Sequence, residues 1–116
     1  MSKQLLLRQH SRVLSLGAEI ESLMQAGANG EKLAEKFNDY VDLVREHFYE
    51  EERHLLAFHP EQFSEHVQQH KAYQRSLFKL CAEPPKVIVL LAREILTAWW
   101  VKHIAEVDAL YLEDRE

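Results

Sequence analysis

Apolar residues recur at three- and four-residue intervals along almost the whole chain, the period of helices that each bury one face. Over residues 3–26 the stripe is Leu6, Val13, Leu16, Ile20, Leu23 and Met24. Gly27, Ala28, Asn29 and Gly30 then interrupt it with turn-forming residues. A second stripe, carrying Leu33, Phe37, Tyr40, Val41, Val44, Phe48, Leu55 and Phe58, predicts a helix from about Glu31 to Phe58. His59-Pro60 breaks the pattern, since a proline inside a helix removes a hydrogen bond and clashes with the preceding turn. Phe63, Val67, Tyr73, Leu77, Phe78 and Leu80 predict a third helix from about Glu61 to Ala82, ended by Glu83-Pro84-Pro85. Ile88, Leu91, Ile95, Trp99, Val101, Ile104 and Leu110 predict a last helix from near Lys86 towards Asp114. Helices with short connections predict an all-α single domain over residues 1–116, an up-down-up-down four-helix bundle.

Composition narrows the class. Only three glycines and three prolines among 116 residues leave room for few loops. A formal charge of −5 argues against nucleic acid as a partner, which usually needs a basic face. The lone cysteine, Cys81, excludes an internal disulfide framework and a cysteine-based zinc site, and fits a reducing compartment. MSKQLLLRQH lacks the apolar core of a signal peptide, and the run Val87 to Ala92 is too short to span a bilayer. The expectation is a soluble, cytoplasmic protein without a membrane partner.

Seven histidines are the unusual feature: His10, His47, His54, His59, His66, His70 and His103. His47 and Glu51 are four apart, and so are His66 and His70, which puts each pair one turn apart on a single helix face. Either pair serves as a two-toothed metal clamp, or as an ordinary surface pair. Of the acidic run Glu50-Glu51-Glu52, Glu51 is aligned with His47, and a helix cannot turn all three inward. His10 lies beside the first apolar stripe with Gly17 two turns on, as a satisfied core histidine or a ligand. Gly17 provides close helix packing or spare room next to that histidine, and packing is preferred. His103 and Asp108 are five apart, about 140° around a helix, so they converge only on something held between them. Every predicted helix thus offers a histidine near its apolar face. Burying so many polar groups without partners is costly, and a metal removes that cost.

The blocks Gln9-His10, His47-Phe48-Tyr49-Glu50-Glu51-Glu52, His66-Val67-Gln68-Gln69-His70 and Trp99-Trp100-Val101-Lys102-His103-Ile104-Ala105-Glu106-Val107-Asp108 resemble the signature of the hemerythrins, particularly the single-domain bacterial ones. The resemblance covers nearly the whole chain. It implies a non-haem di-iron centre with His66, His70 and His103 on one iron and His10 and His47 on the other. Glu51 and Asp108 bridge the pair, together with an oxo or hydroxo group. The iron with two histidines keeps an open position at which dioxygen binds reversibly, for storage, delivery or sensing; nitric oxide and small anions such as azide are further ligands of such a site. Val13, Phe48, Tyr73, Trp99 and Ile104 match the apolar pocket around it. Val13 and Gly17 are small for their positions and imply a roomy pocket with fast autoxidation. Tyr73 stands where the family has phenylalanine; its hydroxyl either hydrogen-bonds near the bound ligand or reaches solvent, and solvent is preferred. His54 and His59 match no ligand position and are assigned to the surface. The alternatives are a redox or nitric oxide sensor, an enzyme acting on nitric oxide or peroxide, and a metal-free scaffold.

Overall fold

The computed structural model describes residues 3–27, 31–83 and 85–111; among these, the side chains of residues 3, 81, 85, 86, 89 and 108–111 lie outside the description. The described residues are helical throughout, apart from the turns, and contain no strand. Four α-helices come first: α1 (Lys3–Gln25), α2 (Glu31–Phe58), α3 (Pro60–Ala82) and α4 (Pro85–Arg93). A π-helical turn, Glu94–Ala98, joins α4 to α5 (Trp99–Tyr111), so the last three segments form one rod. Among the described residues, no helix is long and apolar enough to cross a membrane.

The breaks fall where the sequence places them. Gly27 ends α1 at a φ of 81°, a left-handed conformation that costs glycine nothing, and its N–H caps the Met24 carbonyl at 3.0 Å. Pro60 is not in a helix interior but at the start of α3, where its missing N–H would be unpaired anyway. His59 alone separates α2 from α3. Each helix packs on its sequence neighbours, and the fourth rod closes back on both α1 and α3. The 28 residues of α2 come to about 42 Å at a rise of about 1.5 Å per residue, which accounts for the 45 Å long dimension. The 23 × 19 Å cross-section is two helices wide, compatible with a four-helix bundle.

The core is a stack of inward positions: Val13, Ile20 and Met24 from α1, Tyr40, Val44 and Phe48 from α2, Tyr73 and Leu77 from α3. Several expected core residues point outward instead. Phe58 is half exposed at the end of α2; Phe78, Leu91 and Val101 each sit one residue away from an inward neighbour (Leu77, Ala92 and Trp100), about 100° round the helix. Leu110 and Cys81 lie outside the described side chains.

The π turn explains the shift on the last rod. Ala92, Leu96 and Trp100 are all buried at successive four-residue steps. In an α-helix each such step overshoots a full turn by about 40°, so two would carry Trp100 well off the inward face. The wider turn absorbs that drift; its i→i+5 bond runs from the Trp99 N–H to the Glu94 carbonyl. Side chains from neighbouring helices serve its carbonyls. Tyr73 Oη donates to Ile95 O at 2.7 Å, and Tyr40 Oη donates to Leu96 O at 3.3 Å. Gly17 meets the same turn: a Cβ built there would lie 2.5 Å from the Leu96 carbonyl oxygen. The glycine is therefore a packing requirement, and it leaves no spare room beside the His10 face.

Gly17→Ala tests this. Helix propensity alone favours alanine by about 1 kcal/mol. The clash with backbone that cannot rotate away reverses the sign, with an expected net loss of about 1–3 kcal/mol. Urea unfolding checks it: a midpoint equal to or above the parent would show that α1 and the π turn are not in tight contact.

Candidate metal centre

All four rods deliver polar side chains to one buried layer. α1 supplies Gln9 and His10, α2 supplies His47 and Glu51, α3 supplies His66 and His70, and α5 supplies His103, each of them buried. The helical period does this work. His47, Glu51 and His54 follow one another at i, i+4 and i+7 on one face of α2, and His66 and His70 share a face of α3.

Glu51 is the centre of the layer. It is fully buried, and its two carboxylate oxygens face different pairs of imidazoles. Oε2 lies 3.3 Å from His10 Nε2 and 3.1 Å from His47 Nε2. Oε1 lies 2.8 Å from both His70 Nε2 and His103 Nε2. Burial by itself pushes the Glu51 carboxyl up, but hydrogen bonds from His10, His103, His47 and His70 together outweigh it and hold the group well below the usual carboxylate range. Burial also dominates at His47, lowering its pKa against the opposing pull of Glu51.

The outer nitrogens are anchored too. His47 Nδ1 is 2.9 Å from Gln9 Oε1, His70 Nδ1 is 2.8 Å from Glu52 Oε2, and His66 Nδ1 is 2.9 Å from the Gln62 backbone oxygen. Such contacts fix ring orientation. His66 is the clearest case. A backbone carbonyl only accepts, so Nδ1 carries the proton and Nε2 is the lone-pair nitrogen of the neutral ring. That atom is buried and has no hydrogen-bond partner among the described residues. His103 lacks an Nδ1 partner among them and is held by its ring, stacked on Trp99 at 4.7 Å and 14°.

This donor set suits a metal ion. The ligand atoms of His10, His47 and Glu51 lie within 4.8 Å of one another, and so do those of Glu51, His70 and His103. Neighbouring ligands on a metal with bonds of about 2.1 Å are roughly 3 Å apart, close to the separations around Glu51. The buried lone pair of His66 points to the same chemistry, with its ring 6.2 Å from that of His103. It is not part of either tight group. The Asp108 side chain lies outside the described residues.

Aromatic rings wall the layer. Phe48 stacks on His70 at 3.9 Å and 2°, and Trp100 stands 5.7 Å from both His47 and His103. Of the expected pocket residues, Phe48 and Trp99 stack on His70 and His103; Val13 is buried and Ile104 half-buried in the same cluster. Tyr73 is one layer back. It is buried rather than solvated, stacked on Trp99, with its hydroxyl 2.6 Å from Tyr40 Oη and accepting from Trp100 Nε1 at 2.9 Å. Burial raises the pKa of both tyrosines, which keeps them protonated donors. A surface cleft of about 410 Å³ reaches the layer from outside between Gln69, Trp99, Lys102 and His103.

His54 and His59 are corrections. Both are buried, because His54 shares the inward face with His47 and Glu51 while the one-residue elbow folds His59 back within 6.5 Å of it. The periodicity of α2 already contained the first of these. Gln9, Glu52 and Trp100 lie within the sequence blocks without a role that the sequence reveals; their partners lie on other helices, which spacing along one helix does not encode. Comparison with protein-family models, curated proteins and solved structures gives no match, so the centre is argued from its own geometry.

Two outcomes are expected of the metal-free chain. Glu51 is depressed below its ordinary 4.5, so its contribution is full above that pH and lost as the pH falls towards the folded value. His47 is depressed below 6.5, so burying it neutral is free of penalty above that pH and is opposed progressively below it. Both act in one direction: thermal stability holds above about pH 7 and falls on acidification, more steeply below about 4.5. A melting temperature that rises between pH 7 and 5 would refute the assignment. Tyr73→Phe should cost about 1–2 kcal/mol by stranding the Ile95 carbonyl, read by urea unfolding; no loss would mean the π turn does not need that hydroxyl.

Proposed function

We propose that this chain is a hemerythrin-like protein that holds a pair of iron ions in the Glu51 layer and binds dioxygen reversibly. The observation that carries the reading is the division of labour at Glu51, one oxygen facing His10 and His47 and the other facing His70 and His103. A carboxylate so placed is suited to join one cation at each oxygen. His66 adds a further imidazole on the side of His70 and His103, giving the sides unequal ligand counts. Asp108 is assigned by the sequence resemblance as the second bridge.

The protein groups have distinct tasks. His10, His47, His66, His70 and His103 supply neutral nitrogen donors, which suit iron and other late first-row metals. Gln9, Glu52 and the Gln62 carbonyl hold the donor rings in register. Val13, Phe48, Trp99, Trp100 and Ile104 exclude water, which protects a bound oxygen molecule from protonation and loss. Ferrous iron, when bound, supplies the electrons and the open position that dioxygen needs. A ligand set dominated by imidazole rather than carboxylate favours the reduced metal and disfavours O–O cleavage, which supports binding over catalysis.

Iron analysis and visible spectroscopy test the proposal together. The reconstituted chain should retain an iron pair per chain, and the reduced form should gain an absorption band under dioxygen that disappears on purging with argon. Irreversible oxidation on first exposure would favour a redox sensor or enzyme; failure to retain iron would end the reading. Glu51→Ala should abolish stoichiometric uptake, whereas Gln9→Ala and Glu52→Ala should weaken iron binding by about 10–100-fold.

A further inference from the structure

α3 turns two faces to its surroundings. Its inward face carries His66, His70, Tyr73 and Leu77; its outward face carries Lys71, Arg75 and Lys79 at four-residue spacing, with Phe78 beside them. Phe78 is 79% exposed, although an aromatic ring of this size is usually covered. It borders two adjoining grooves. One, of about 280 Å³, runs between α2 and α3 over Val41, Val44 and Leu77, with Arg45 on the far edge. The other, of about 400 Å³, lies among Lys71, Gln74, Arg75 and Lys79.

Charge decides what the grooves fit. The chain carries −5 overall, yet no carboxylate lines either groove. Arg45, Lys71, Arg75 and Lys79 make no ion pair among the described residues. A cationic rim around an apolar floor on an acidic protein is a local reversal, and it selects anionic partners by steering and by penalising cationic ones. Shape narrows the class further. The grooves are open along one side, whereas small-molecule sites enclose most of their ligand. Their floor is recessed, with Val44 and Leu77 almost fully buried, so it receives inserted side chains rather than inserting its own. Projecting Phe78 beside a recess is the arrangement of an interface anchor next to a hole for the partner's anchor.

We propose that this α2–α3 face docks an acidic amphipathic helix of a partner protein, whose apolar knobs enter the Val41–Val44–Leu77 groove and pack on Phe78 while its Asp and Glu side chains meet Arg45, Lys71, Arg75 and Lys79. The i, i+3, i+4 repeat of such a helix matches a groove set between two helices. The surface is independent of the metal centre: none of its residues is a histidine of that layer, and its test needs no iron.

The probe is a fluorescent synthetic helix of about four turns with leucines on one face and glutamates flanking them, against the same peptide with lysines for the glutamates. Anisotropy with the full chain should show micromolar binding of the acidic peptide only, weakened at least about tenfold between about 0.05 and 0.5 M salt. Phe78→Ser should weaken it at least about tenfold, and Lys71→Gln with Arg75→Gln and Lys79→Gln should do the same while flattening the salt dependence. All four positions are exposed, so the fold should survive. Leu90→Ser, at an 80% exposed apolar site on α4, should change nothing. Equal binding of the lysine peptide, or none of the acidic peptide at about 1 mM, overturns the proposal. So does Phe78-dependent binding to anionic phospholipid vesicles without peptide binding. Phe78-dependent self-association in sedimentation overturns it in favour of a second copy of the chain.

Discussion

The Glu51 carboxylate sits where water cannot reach it, and the rest of the structure is arranged to make that tolerable. Removing a carboxylate from water costs several kcal/mol even after relaxation. Each of its oxygens therefore takes two imidazole contacts, between them drawn from all four rods. No single helix could supply this. His47 stands one turn away on α2 itself; the other three imidazoles arrive from α1, α3 and α5. The bundle's register is thereby tied to one side chain, because sliding any helix by a turn would strand either the carboxylate or a buried ring. Removing one member of such a network leaves its partners buried without compensation, the costly case for internal charges.

A second polar knot keeps the first in place. Trp100 Nε1 donates to both Tyr40 Oη and Tyr73 Oη, at 2.8 and 2.9 Å, and the tyrosine hydroxyls in turn satisfy carbonyls of the π turn. The turn lets Leu96, Trp100 and His103 face inward together. Gly17 allows α1 to approach it, and Trp99 and Trp100 carry the resulting position to His103 by ring contact. His103 Nδ1 has no hydrogen bond among the described residues, so this packing and the Nε2 contact to Glu51 orient the ring. The helical irregularity is part of how the site is built.

Much of this was legible in the sequence, and the limits have a physical origin. Helix ends were readable because glycine and proline act locally: Gly27 closes α1 and Pro60 opens α3 by their own backbone chemistry. The choice of Glu51 over Glu50 and Glu52 followed from helix phase relative to His47, and Glu50 and Glu52 are indeed only partly buried. Phase also held the burial of His54, which was missed by asking only whether it matched a ligand pattern. The contacts of Gln9 with His47 and Glu52 with His70 span 38 and 18 positions, and nothing in helical spacing encodes which rods become neighbours. The π turn was out of reach for a different reason: it depends on hydroxyls from α2 and α3 and on a missing side chain in α1. A stripe drawn at the α-helical period chose Leu91 and Val101 where Ala92 and Trp100 are buried.

A polar core of this kind could serve stability alone, but one of its atoms does not fit that account. A network evolved only to satisfy itself balances donors and acceptors, and histidine is an expensive way to provide either. Here four imidazoles meet one carboxylate, which has about that many acceptor sites, but a fifth, His66, presents a buried lone pair with no proton donor to meet it among the described residues. A buried lone pair without a donor is a liability in an apolar core. A cation that accepted it would remove that liability. Its binding free energy is then added directly to the stability of the fold that assembled the site.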